Sequence, residues 1–207
     1  MNEKIRLKIV VLGEGGVGKT SLSKSFEKDI IFQETSQTIG IDIHIKHFSL
    51  QNTPIVIQLW DLGGQDHFQN MGVFSNFCQG ANGALMCFDL TDFKTLNKIP
   101  NWLTLIPKNT PYLIVGTKGD LINEVDEYIQ DDLKQFIQSD NCIGFCETQI
   151  KDFLSIENAF LSLVGYILKN QIEENNIVKT KSNFLGKRNI NNIVNELSGN
   201  ILKLQSY

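Results

Sequence analysis

Apolar residues along this chain fall into short runs separated by segments of helical periodicity. Ile5–Leu12 is apolar except for Arg6 and Lys8 and reads as a buried strand. Ile41–Leu50 and Ile55–Asp61 are two more strand-like runs, joined by Gln51-Asn52-Thr53-Pro54. So short a connection makes them an antiparallel hairpin at one edge of a sheet. Gly83–Asp89, Tyr112–Gly116 and Ile143–Glu147 supply three further strands. Between the runs lie helical stretches. The clearest is Ser155–Leu168, with Ile156, Ala159, Phe160, Leu163, Val164 and Ile167 on one face. Strands alternating with helices predict βαβ units. The expected fold is therefore a three-layer α/β domain, a six-stranded, mostly parallel sheet flanked by helices. In such a sheet a ligand sits outside the carboxyl ends of the strands.

The pattern changes after Asn170. Gln171–Arg188 is polar and reads as a linker, and Ile190, Ile193, Val194, Leu197, Ile201 and Leu204 then mark one face of a short amphipathic segment. Two regions are expected: a folded domain over 1–170 and a linker with C-terminal amphipathic segment over 171–207. That segment could fold back on the domain, bind a partner or lie on a membrane surface.

Composition narrows the class. A chain of 207 residues can bury a real core without staples. The net charge of −4 gives no electrostatic footprint for nucleic acid, so none is expected as a partner. No apolar run reaches the ~18 residues that span a bilayer. Residue 2 is Asn rather than Gly, and the chain ends Leu204-Gln205-Ser206-Tyr207 without a cysteine, so no lipid anchor is expected. Cys78, Cys87, Cys142 and Cys146 lie scattered among apolar segments, as buried free thiols of a reducing cytosol do. A cytoplasmic protein is expected, with peripheral membrane association through partners left open and any direct membrane contact weak. His44, His47 and His67 read as surface residues rather than metal ligands.

The strongest chemical signal is Gly13-Glu14-Gly15-Gly16-Val17-Gly18-Lys19-Thr20, followed by Ser21. It fits G-x-x-x-x-G-K-[ST], directly after a strand and opening a helix, the context that gives the motif meaning. Glycines let backbone N–H groups turn inward around an anion, and the helix N-terminus adds its positive dipole end. In such loops the lysine, here Lys19, reaches the terminal phosphates, and the hydroxyl, here Thr20, ligates Mg²⁺. The loop alone leaves the base open, ATP included.

Three further segments bear on the base and on the metal. They are Thr38-Ile39-Gly40-Ile41-Asp42, Trp60-Asp61-Leu62-Gly63-Gly64-Gln65 and Gly116-Thr117-Lys118-Gly119-Asp120. An Asp ending a strand, as Asp61 does, can approach a metal, usually through a water. A carboxylate at Asp120 can accept two hydrogen bonds from a guanine edge, a pair that adenine cannot donate. With these motifs in this order, residues 5–170 resemble a small GTPase of the Ras superfamily. The closest likeness is to the Rab branch, with Arf-like Gly63-Gly64 and Rho-like Thr117. The resemblance implies a P-loop NTPase G domain that binds GTP or GDP with Mg²⁺, switches between the two states and hydrolyses GTP slowly. It implies that Thr20, Thr38 and Asp61 hold Mg²⁺. It also implies that Gly64 meets the γ-phosphate, that Gln65 orients the attacking water with Lys19 and Thr38 assisting, and that Lys118 packs on the base beside Asp120.

Two places depart from the family pattern. The last motif, usually Ser-Ala-Lys, stands here as Gln149-Ile150-Lys151 after Glu147-Thr148. Ile150 can still offer a backbone N–H to the base. The aromatic usually stacked edgewise on the base falls in register at Ile31, with Phe32 beside it. Together these changes predict weaker nucleotide affinity and faster exchange than a typical member. Hydrolysis is expected to be slow for another reason: Arg6 and Arg188 are the only arginines, and neither sits where it could reach the phosphates. An arginine from an activating protein is then needed, together with an exchange factor. Effectors would read the switch loops at residues 32–42 and 62–76. A nucleotide-locked scaffold and an ATP-using P-loop enzyme are the alternatives, and Asp120 in its Thr-Lys-x-Asp setting argues against the latter.

Overall fold

The computed structural model describes residues 4–29, 40–50, 53–63, 73–122 and 133–179. Six strands form one sheet: β1 (Ile5–Leu12), β2 (Ile41–Leu50), β3 (Thr53–Leu62), β4 (Gly83–Asp89), β5 (Tyr112–Thr117) and β6 (Cys142–Glu147), in the order β2-β3-β1-β4-β5-β6. All neighbours run parallel except β2 and β3, which pair antiparallel from Ile41↔Leu62 to Leu50↔Thr53. The expected hairpin is present, but β3 begins at Thr53 and takes in Pro54, which sequence assigns to the turn. Proline is tolerated there because β1 begins pairing only at Ile55, so no ladder bond to β1 is lost.

Period-two alternation divides the core between two faces. From β1, Leu7, Ile9 and Val11 join a cluster with Leu22, Phe26, Ile156, Phe160 and Leu163. Val10 and Leu12 join the opposite cluster, with Phe74, Leu96, Trp102 and Leu133. The first face is covered by α1 (Lys19–Lys28) and α4 (Phe153–Lys179). The second is covered by α2 (Val73–Cys78), by α3 (Ile99–Leu103) and by the helical residues 133–137. Phe26 stacks on Phe160 with ring centroids 4.0 Å apart. Burying a ring of this kind contributes about 2 kcal/mol, and the stack fixes α1, which carries Lys19 and Thr20, against α4.

Helix α4 runs to Lys179, nine residues into the stretch that composition assigns to a linker. Extending an existing helix needs no new nucleus, and Gln171, Glu173 and Glu174 are good helix formers. The amphipathic segment from Ile190 lies outside the described residues.

Candidate functional site

Every parallel strand delivers one motif at its carboxyl end. β1 feeds the phosphate loop, β3 ends in Asp61-Leu62, β4 in Asp89, β5 in Thr117 and β6 in Glu147.

The phosphate loop turns at glycine. Gly13 has φ +144°, and a Cβ there would lie 2.2 Å from the Cys87 carbonyl oxygen of β4. Gly18, at φ +96°, precedes the first turn of α1, which has no side-chain cap and no acidic residue. A helix N-terminus with neither a side-chain cap nor an acidic residue keeps its positive dipole end available to an anion. Lys19, 5% exposed, donates from Nζ to the carbonyls of Gly13 (2.8 Å) and Glu14 (2.7 Å). Burial pushes its ammonium below the ordinary lysine range, and Asp61 chiefly opposes the shift. Val17 is buried, anchoring the middle of the loop in the core, and Ser21 follows Thr20 into the helix.

The Thr20 hydroxyl donates to Asp61 Oδ2. Asp61 is fully buried, and its Oδ1 has no hydrogen-bond partner among the described residues. Burial raises its carboxyl above the usual range, against the Thr20 bond, Lys19 and His44. Two oxygen donors, one of them a buried carboxylate oxygen without a partner, suit a hard cation such as Mg²⁺. Among the described residues no group of three or more His, Cys, Asp or Glu forms a self-contained metal site. Mg²⁺ seldom needs one, since it keeps waters and phosphate oxygens as ligands. Nearby, the Gly63 N–H donates to the Gly40 carbonyl at 2.8 Å and joins the start of β2 to the end of β3.

The base-side motifs converge from β5 and β6. Thr117, 4% exposed, has its hydroxyl 2.5 Å from the Val17 carbonyl and 2.9 Å from that of Phe88. One side chain thus joins β5 to β4 and to the phosphate loop. Lys118 adopts φ +60°, left-handed for a residue with a side chain, and its Nζ pairs with Asp89 Oδ2 at 2.5 Å. Asp120, in a tight turn over Gly119–Leu121, lies 3.4 Å from Lys151 Nζ. The loop after β6 is braced by Thr148 N–H to the Gly116 carbonyl (2.7 Å), Gly119 N–H to the Thr148 carbonyl (3.1 Å) and Gln149 N–H to Ser155 Oγ (3.0 Å). Ile150 packs its side chain against the core.

The structure thus brings together Gly13, Glu14, Gly15, Gly16, Val17, Gly18, Lys19, Thr20 and Asp61 on one side, and Thr117, Lys118, Asp120, Ile150 and Lys151 on the other. Ile31, Phe32, Thr38, Gly64, Gln65 and His67 lie outside the described residues. One expectation is corrected. His44 is no surface residue: it is 4% exposed, its Nδ1 is 3.1 Å from Glu27 of α1 and its Nε2 is 3.5 Å from Asp42. It faces inward because β2 packs on α1. Sequence reasoning also misses Asp89, although its place at a strand end, like that of Asp61, is a usable signal. It misses Trp102 too, whose indole Nε1–H donates to Glu14 Oε1 at 3.1 Å. No sequence signal joins those two.

Residues 8–169 match the model of the Ras family. The chain is similar to the Ras-related protein Rab-12 of Homo sapiens, 32% identical over 97% of this chain and 75% of the relative. It is similar also to the Ras-related protein RabF1 of Dictyostelium discoideum, 34% identical over 84% of this chain and 90% of the relative. The GTP-binding protein ypt1 of Schizosaccharomyces pombe is 34% identical over 75% of this chain and 77% of its own length.

Proposed function

The chain belongs to the Ras family, as a Rab-like small GTP-binding protein and GTPase, and from that premise we propose how its residues divide the work. The phosphate loop with Lys19 holds the polyphosphate. Thr20, Asp61 and Thr38 hold Mg²⁺, which when bound neutralises charge on the phosphate oxygens. Asp120 accepts from the guanine edge, with Lys118 set beside the base by its ion pair to Asp89. The bond that carries this proposal runs from the Thr117 hydroxyl to the Val17 carbonyl, 2.5 Å long. It supports treating the phosphate side and the base side as parts of one site, with a spacing fixed by buried contacts. It also gives a physical reason why Thr can stand where relatives of this type commonly carry Asn.

Hydrolysis needs an attacking water aligned with the terminal phosphate, and Gln65 is the residue proposed to orient it, with Lys19 drawing off developing negative charge and Gly64 meeting the γ-phosphate. Both arginines of the chain lie far along the sequence from the phosphate loop or at the opposite end of β1. Unaided turnover should therefore be slow, on the order of 10⁻⁴ to 10⁻³ per second. Phosphate release from GTP-loaded protein tests this. Gln65→Leu should bind GTP and release essentially no phosphate. Native-like release by that variant would transfer the role to another residue.

As a member of this family the protein works with regulators and effectors. We place effector contact at the loops over 32–42 and 62–76. An activating protein supplies the arginine that this chain lacks, and an exchange factor replaces GDP. No helix among the described residues is long and apolar enough to cross a membrane. Any membrane association is proposed to be peripheral and through partners, with residues 171–207 as an appendage to the domain over 1–170.

A further inference from the structure

A glutamate inside a phosphate-binding loop is electrostatically adverse, because its charge opposes that of the ligand. Glu14 occupies such a place, between Gly13 and Gly15. Its carboxylate is taken up by the indole Nε1–H of Trp102, 3.1 Å away and 88 residues along the chain. Trp102 itself is rigidly held. It is 1% exposed, sits in α3 behind Pro100, and packs in the cluster that contains Val10, Leu12 and Met86. The backbone of the same glutamate matters as well: its carbonyl accepts from Lys19 Nζ at 2.7 Å. A buried indole N–H usually finds a partner, and a carboxylate gives the stronger, charge-assisted bond.

We propose that Trp102 is a positioning residue for nucleotide binding: it keeps the Glu14 carboxylate on the α3 side of the loop and steadies the Glu14 carbonyl that receives Lys19. This rests on the phosphate loop being the nucleotide site, as set out above. Loop affinity then depends on a side chain that touches no part of the ligand.

The test follows release of a fluorescent GDP analogue from the full chain after excess GTP is added. Trp102→Phe keeps a packed ring and removes the donor. Release is expected to speed up on the order of tenfold, the share of one charge-assisted bond. Adding Glu14→Gln removes the charge at position 14, and the slowing it brings is expected to be several-fold larger in Trp102→Phe than in the otherwise native chain. Lost packing at Trp102 would leave the effect of Glu14→Gln equal in the two backgrounds. Native-like release in Trp102→Phe, or an equal effect of Glu14→Gln in both backgrounds, overturns the proposal. Should Trp102→Phe not fold, hydrogen exchange of the Trp102 indole N–H decides by nuclear magnetic resonance. Exchange on the order of tenfold faster in Glu14→Ala than in the native chain supports the contact, and equal exchange overturns it. A native chain that takes up no GDP analogue overturns the assignment of the loop and the proposal with it. A native chain that binds, beside variants that behave like it, overturns the proposal alone.

Discussion

The Thr20 hydroxyl, in the first turn of α1, donates to Asp61 Oδ2 at the end of β3, while Asp61 Oδ1 is buried and meets no hydrogen-bond partner among the described residues. The two residues stand 41 positions apart, and β1, paired with β3 through Val11↔Asp61, brings them together. A buried carboxylate with one oxygen unserved is costly unless a cation or donor meets it. In this fold the carboxylate meets the helix that carries Lys19, next to the loop proposed to hold the phosphates.

That relationship predicts metal dependence of nucleotide release. Chelation of Mg²⁺ should speed GDP release from the native protein by at least about tenfold, the effect of losing a bridging cation. Asp61→Ala should release quickly whether or not Mg²⁺ is present. Release that ignores a chelator in the native protein would remove Mg²⁺ from the site.

Thr117 carries the contact between the two halves of the site. Thr117→Ala leaves the buried carbonyls of Val17 and Phe88 without its hydroxyl. Urea unfolding of the GDP-bound variant should show a loss of about 1–3 kcal/mol, while Thr117→Ser stays near native. Equal stability of Thr117→Ala and native protein would make the contact incidental.

The buried thiols predict the alkaline limit of stability. Burial pushes the Cys87 thiol from 9.0 up to about 12, and those of Cys78 and Cys146 up to about 11. In the unfolded chain these thiols ionise near 9.0. Between the unfolded and folded values the folded state holds more protons, so stability, fully present below the unfolded value, falls as pH rises. Each thiol contributes a slope of about 1.4 kcal/mol per pH unit across that window. Urea unfolding at a series of alkaline pH values should show the fall, and Cys87→Ala should show it reduced by one thiol's share. An identical slope in Cys87→Ala would mean that Cys87 ionises without unfolding.

Much of this molecule is legible in its sequence, for reasons that particular residues make plain. The strands read correctly because short apolar runs such as Gly83–Asp89 are buried on both faces and bounded by turn residues. The phosphate loop stands out because its glycines, lysine and threonine have fixed spacing between a strand and a helix. The end of α4 does not, since polarity after Asn170 signals exposure and is silent on whether a helix stops. Nor does His44, whose burial is set by the packing of β2 on α1 rather than by its neighbours in sequence. The Glu14–Trp102 bond is invisible for the same reason: nothing local relates a loop glutamate to a tryptophan 88 residues later. What tertiary packing alone decides, a linear pattern cannot carry.

Asp120 is the residue proposed to read guanine. Its carboxylate sits beyond β5, 3.4 Å from Lys151 and joined through Thr117 to the phosphate loop. The most direct test is titration of the purified chain with a fluorescent GDP analogue in Mg²⁺, competed separately by GTP, GDP and ATP, beside Asp120→Ala. Competition by GTP and GDP but not ATP, with binding lost in Asp120→Ala, is the predicted result. Equal competition by ATP, or native-like binding by Asp120→Ala, would contradict it.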